Sequence, residues 1–248
     1  GAVEADLEAC NVMQTAALLN PERLIVVAGF GGCELQESIA ADPMLDPRIR
    51  NSLRYADQPE QLGTGHAMLC ALPALSGFSG TILILCGDVP LIEAGTLRAL
   101  LASHAEKRAT VSLISFTSTL ENSYGRVLRD KSGNVQSIVE ARDCGPAERS
   151  IAEFNSGIYA VSLPFLASAL KNLSSDNAQK EYYLTDIVKR AATDGLTVSA
   201  LLCGEAEEFQ GVNNFVELAM INTALRNKKI RALLEQGVRI EDPQTCYV

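Results

Sequence analysis

The 248-residue sequence has two histidines, no Cys-x-x-C pair among its seven cysteines, no excess of basic residues and no long apolar run. Each absence removes a class of protein. The cysteines stand at positions 10, 33, 70, 86, 144, 203 and 246 without a histidine at metal-ligand spacing. They read as reduced structural thiols, which predicts a cytoplasmic protein rather than a zinc site or a disulfide framework. No stretch of about eighteen apolar residues and no charged-then-apolar N-terminus is present, so neither a membrane span nor export is expected. The formal net charge of −9, from 21 Lys and Arg against 30 Asp and Glu, excludes a nucleic-acid surface, because such surfaces gather cations on one face. Internal repeats and low-complexity segments are also missing.

What is present is ordinary globular material, 47% hydrophobic, enough to bury one α/β domain or a domain with a small lobe. Helical periodicity predicts helices over 7–19, 33–40, 63–72, 92–104, 163–173, 183–193 and 214–236. Apolar runs predict strands at 24–28, 53–56, 81–85, 110–116 and 197–202. Strands alternating with helices imply a doubly wound, Rossmann-like parallel sheet. From Gly125 onward three strands, 126–129, 135–140 and 153–161, follow one another without helices. They predict a small antiparallel-rich lobe over that sheet.

Several positions carry candidate chemistry. The run from Thr81 to Leu85 ends at Gly87-Asp88, at the carboxyl end of a buried strand, where α/β sheets bind ligands. A carboxylate there suits Mg²⁺ on a polyphosphate, though a strand-end Asp equally forms turns. Gly63-Thr64-Gly65 opens a helix, with Thr64 a possible N-cap. Gln58 lies five residues earlier, and its amide can pair donor and acceptor with the edge of a pyrimidine. Glu140 and Asn155 lie on consecutive strands where alternation turns both toward one cleft; a solvent-facing Glu is the alternative. Asn213 opens the last helix, where N-cap duty is the default. Gly29 to Gly32 lacks the full dinucleotide fingerprint and reads as a turn. His66 reads as a packed or capping residue and His104 as a contact to a helix C-terminus.

The segments Gln58-x-x-Gln61-Leu62-Gly63-Thr64-Gly65-His66-Ala67, Gly87-Asp88-Val89-Pro90-Leu91, Tyr124-Gly125-Arg126, Ile138-Val139-Glu140, Asn155-Ser156-Gly157-Ile158, Glu181 to Asp186 and Gly211-Val212-Asn213-Asn214 follow one another in a single order. Together they resemble the uridyltransferase domain of the bacterial bifunctional N-acetylglucosamine-1-phosphate uridyltransferase/glucosamine-1-phosphate acetyltransferases. The resemblance runs from about residue 12 to the C-terminus. It implies a Mg²⁺-dependent enzyme that joins UTP and N-acetylglucosamine 1-phosphate into UDP-N-acetylglucosamine, a precursor of peptidoglycan and lipopolysaccharide. It places Gln58, Gly63, Thr64, Cys86, Gly87 and Asp88 at the nucleotide, and Gly125, Glu140, Asn155 and Asn213 at the sugar. It makes Asp88 and Asn213 the metal ligands and catalytic centre. Tyr182 and Tyr183 become candidate walls of the sugar pocket.

The chain departs from that family in two places. The family opens with a strand and a G-x-G-T-x-M loop that wraps the triphosphate, and nothing before Leu24 matches it; no Lys or Arg precedes Arg23. A chain without that loop is expected to hold UTP weakly. Residues 1–236 are expected to form the transferase domain and 237–248 the start of a linker, where the family's left-handed β-helix would begin. The resemblance implies trimers assembled through that β-helix. Two other readings are a different sugar-1-phosphate nucleotidyltransferase, decided at Gln58 and at Glu140 with Asn155, and a catalytically silent scaffold of the same fold.

Overall fold

The computed structural model describes residues 2–29, 31–41, 45–118, 123–204, 206–212 and 214–247, with the side chains of 2–8 and 206 left aside. Strands and helices alternate along the chain: α1 (Ala2–Ala17), β1 (Leu24–Ala28), α2 (Gly32–Ala41), α3 (Pro47–Ser52), β2 (Leu53–Asp57), α4 (Thr64–Ala71), β3 (Thr81–Ile84), α5 (Ala94–Glu106), β4 (Val111–Thr117), β5 (Arg126–Arg129), β6 (Val135–Val139), α6 (Pro146–Arg149), β7 (Glu153–Ser162), α7 (Leu163–Ala169), α8 (Asp186–Thr193), β8 (Val198–Cys203) and α9 (Phe215–Glu235).

Six of the strands, β3 to β8, form one mixed sheet whose spine is β7. β4 runs antiparallel along one edge of β7, from Val111 opposite Val161 to Thr117 opposite Glu153. The other edge is shared. β5 holds it at Phe154, and β3 holds it from Tyr159 to Ser162. Between these partners the edge opens, and the candidate site lies at that opening.

The ladder is also broken there. Its register steps from Leu113 opposite Tyr159 to Ser115 opposite Asn155, so Ile114 alone faces the three residues 156–158. Ser156 Oγ repairs the break, donating to the Ile114 carbonyl at 2.9 Å and accepting from the Ile158 amide at 3.2 Å. Gly157 takes a φ of 80°, a conformation glycine reaches without a Cβ penalty. Such bulges bend a strand and re-aim its side chains.

Alternation along β4 and β7 covers both faces of the sheet. Val111, Leu113, Tyr159 and Val161 pack with Met68 of α4, Leu166 of α7 and Ile187 of α8. Ile114, Phe116, Ile158 and Ala160 pack with Leu97 and Leu100 of α5 and with Phe209. Burying each large side chain contributes about 1.5–3 kcal/mol, which anchors the helices to both faces.

The expected parallel sheet is therefore a mixed one, and the antiparallel lobe is not separate from it. Apolar runs disclose strands but not their direction, and here β7 reverses it in the middle of the sheet. β1 and β2 pair in parallel as a two-stranded sheet of their own. A cavity of about 400 Å³, lined by Val12, Val26, Met68 and Leu83, lies between β1 and β3. α3 was not expected, although Asp46 before Pro47 is its start signal: the Asp46 carboxylate accepts the Arg48 amide at 2.8 Å. The helix expected from Tyr183 begins at Asp186. His104 is buried and hydrogen-bonds the Ser112 hydroxyl at 2.9 Å, and burial lowers its pKa. A buried neutral imidazole is a packing group, not the helix-end charge expected of it.

Candidate active site

Two segments 120 residues apart are joined by backbone hydrogen bonds at the first corner of the site. The Tyr182 amide donates to the Leu62 carbonyl at 2.7 Å, and the Gly65 amide donates to the Tyr182 carbonyl at 2.7 Å. The Leu184 amide donates to Thr64 Oγ1 at 3.0 Å. This contact explains the glycine at 63. A Cβ there would stand 2.8 Å from the Tyr182 carbonyl oxygen, and φ is 102°. Gln58 Nε2 donates to the Gly63 carbonyl at 3.0 Å and lies 3.3 Å from His66 Nδ1. Gln58, Gly63 and Thr64 are thus one unit. The Thr64 hydroxyl braces the 181–185 segment rather than capping α4, whose N-cap is Gly63.

The second corner is Asp88, four residues beyond β3 and exposed to solvent. Its backbone carbonyl accepts the Val212 amide at 3.0 Å, and its Oδ2 lies 3.2 Å from where a Cβ on Gly211 would be. Although the residue as a whole is exposed, protein atoms crowd its carboxyl, and that partial desolvation raises it above the ordinary value of 3.8. No ion pair among the described residues compensates it. Tyr124 fixes the facing segment: its hydroxyl donates to the Phe209 carbonyl at 3.0 Å and accepts the Gly211 amide at 3.2 Å. Asn213 lies outside the described residues. Asn214 is the N-cap of α9, its Oδ1 accepting the amides of Val216 and Glu217 at 3.0 Å each. The capping duty first ascribed to Asn213 therefore belongs to its neighbour.

No group of three or more His, Cys, Asp or Glu among the described residues could hold a metal ion. The donor set fits only an ion that takes one carboxylate and draws the rest of its shell from phosphate oxygens and water. Mg²⁺ is commonly held this way. A partly desolvated carboxylate with no counter-ion suits such an ion.

The third corner forms at the bulge. The Asn155 amide donates to the Gly125 carbonyl at 2.8 Å, and Asn155 Oδ1 accepts the Gly157 amide at 3.2 Å. Glu140 Oε2 lies 3.3 Å from the position a Gly125 Cβ would occupy. Its Oε1 accepts the Thr185 hydroxyl at 3.1 Å. Burial raises the Glu140 carboxyl despite that hydrogen bond, and Asp143, Asp186 and Glu181 add to the effect. Cys86 Sγ donates to the Gly157 carbonyl at 3.6 Å. Burial pushes this thiol up to about 12, with the Asp88 and Glu140 charges contributing, so it is a neutral wall and not a nucleophile.

The structure thus gathers Gly125, Glu140 and Asn155 at one place, and Cys86 beside the bulge lies near enough to Asp88 and Glu140 for both charges to act on its thiol. No hydrogen bond among the described residues joins the Gln58 corner to Asp88. The link between the Gln58 corner and Glu140 is instead the 181–185 segment, which bonds to residues 62–65 at one end and to Glu140 through Thr185 at the other. Sequence reasoning read that segment as a helix entry and Tyr182 with Tyr183 as pocket walls. Tyr183 is in fact buried, its hydroxyl donating to Asp143 Oδ2 at 3.1 Å. Thr185 and Tyr124 were not singled out as site residues. Their place in otherwise matching motifs was the available signal.

The nucleotidyl transferase family profile matches residues 11–206. The bifunctional protein GlmU of Geotalea uraniireducens is 47% identical over 236 residues, 95% of this chain and 50% of that protein. The protein of the same name from Acidovorax sp. is 43% identical over 233 residues, 94% of this chain and 48% of its own length. The chain spans about half the length of the curated relatives it matches. A solved structure of UDP-glucose pyrophosphorylase complexed with UDP-glucose superposes with a TM-score of 0.67 at 14% identity, over 88% of this chain and 87% of that one. The apo form of UDP-glucose pyrophosphorylase gives 0.69 at 14% identity, over 90% and 87%. At that identity the likeness is one of fold.

Proposed function

This chain belongs to the nucleotidyl transferase family, and we propose from that premise that it transfers UMP from UTP to N-acetylglucosamine 1-phosphate, releasing pyrophosphate. The reading rests on one observation above all: Gly125, Glu140 and Asn155 meet at the β7 bulge, against which Cys86 packs. The relatives named bifunctional protein GlmU support the choice of substrates. A silent scaffold is not favoured.

In this mechanism the sugar phosphate is already ionised at neutral pH, so no general base is required. Its oxygen attacks the α-phosphorus in line, the bond to the β-phosphate oxygen breaks, and pyrophosphate leaves with that electron pair. The protein's task is to position two anions and offset their charge. Gln58 and the backbone at Gly63 and Thr64 take the uracil edge. Gly125 leaves room for the N-acetyl group, and Glu140 and Asn155 address the sugar hydroxyls as acceptor and donor. Asp88 would hold Mg²⁺, with Asn213 as the second protein ligand that the resemblance implies. When bound, such an ion would supply positive charge that offsets the phosphates. Residues 1–236 would form this transferase unit, with 237–248 leading away from it.

Pyrophosphate release measured with UTP, Mg²⁺ and N-acetylglucosamine 1-phosphate tests the proposal. Release should require all three and should fall steeply with glucose 1-phosphate in place of the amino sugar. Equal rates with both sugars would favour a different sugar-1-phosphate nucleotidyltransferase.

A further inference from the structure

We propose that His66 is a positioning residue for base selection: its Nδ1 lone pair holds the Gln58 amide so that only Oε1 faces an incoming base. The inference rests on the reading of this corner as a uridine nucleotide site and adds a residue to it. The Gly63 carbonyl can only accept, so the Gln58 atom 3.0 Å from it is the NH₂ group. The second hydrogen of that group points to His66 Nδ1 at 3.3 Å. Nδ1 can accept it only when the imidazole proton is on Nε2, which faces Cys70 Sγ at 3.9 Å. With both amide hydrogens engaged, Oε1 is what remains. It accepts no hydrogen bond among the described residues and is not a buried atom.

The neighbouring backbone completes the pattern. The amide hydrogens of Gly63 and Thr64 stand at the start of α4, before the first intrahelical bond, and neither meets an acceptor among the described residues. The corner therefore offers one fixed acceptor beside backbone donors. A base with a ring N–H next to a carbonyl, as in uracil, satisfies both. Cytosine presents a bare ring nitrogen and an amino group there and leaves both unpaired. Without His66, the amide loses one of its two anchors and can turn its NH₂ outward toward cytosine.

Two measurements test this. With only two histidines in the chain, ¹⁵N spectra report the His66 tautomer directly. The expected form carries its proton on Nε2; a proton on Nδ1 overturns the proposal. Second, kcat/KM for UTP and CTP is compared in wild type, His66→Phe and His66→Asn. His66→Phe should lower the UTP:CTP ratio by roughly tenfold or more, mainly through the KM for UTP. His66→Asn, whose Oδ1 can still accept, should keep most of the ratio. An unchanged ratio in His66→Phe overturns the proposal while leaving the transferase reading intact. A wild type that binds neither nucleotide overturns both.

Discussion

The backbone carbonyl of Asp88 accepts the amide hydrogen of Val212 at 3.0 Å, tying the loop after β3 to the segment that leads into α9. Two stretches of chain more than a hundred residues apart thereby share one edge of the cleft. The Asp88 carboxylate looks onto Gly211, where any side chain would crowd it.

Asp88→Asn should therefore separate activity from stability. Its carboxyl is raised in the fold, so the folded state prefers the protonated form, and ionisation costs stability as pH rises from 3.8 through the folded value. At neutral pH the Asn variant should melt no lower than wild type, and any advantage should vanish toward pH 3.8. Its pyrophosphate release should be lost. Thermal melts across pH, paired with the assay, check both halves.

Gly157→Ala should damage the site through the backbone. Its φ is 80°, and a Cβ would stand 2.7 Å from Cys86 Sγ. The expected loss is about 1–3 kcal/mol in urea unfolding. Adding Cys86→Ala should recover part of it, because the sulfur is gone while the backbone conformation is not. Equal stability of the single and double variants would mean that the sulfur contact contributes nothing.

His104 predicts a pH dependence of the opposite sign. Burial lowers its pKa below the ordinary 6.5, so the stability it contributes is present above 6.5 and is lost as pH falls through the folded value. Wild type should lose melting temperature over that range more steeply than His104→Gln. The comparison isolates the imidazole, because every carboxylate is common to the two proteins.

Asn214→Ala should cost about 1 kcal/mol by removing the cap of α9. It should disturb turnover less than it disturbs unfolding, because its Oδ1 is spent on the Val216 and Glu217 amides.

Much of this was legible in the residues. Strand β1 was read to its exact bounds, and β5 likewise, because each is a short apolar or alternating run between turn formers. Alternation predicts that Glu140 and Asn155 share a cleft, yet Glu140 falls just past β6 and meets Asn155's neighbourhood through Gly125 instead. Strand direction was not legible: nothing in the side chains of 153–162 says that β7 runs against both β3 and β4. The bulge at Ser156 and Gly157 was hidden for a related reason, since an added residue shows only against its partner strand. Thr64 looked like a cap and a base contact, yet its hydroxyl is used by Leu184. Long-range hydrogen bonds of that kind leave no local pattern.

The proposed function is tested most directly by calorimetric titration with UDP-N-acetylglucosamine, which should engage the Gln58 and Glu140 corners together. One site per chain is expected, weakened by roughly tenfold or more in both Gln58→Ala and Glu140→Ala, the scale of losing a hydrogen-bonding partner that the ligand covers. Binding that is absent in wild type, or unchanged in both variants, would contradict it.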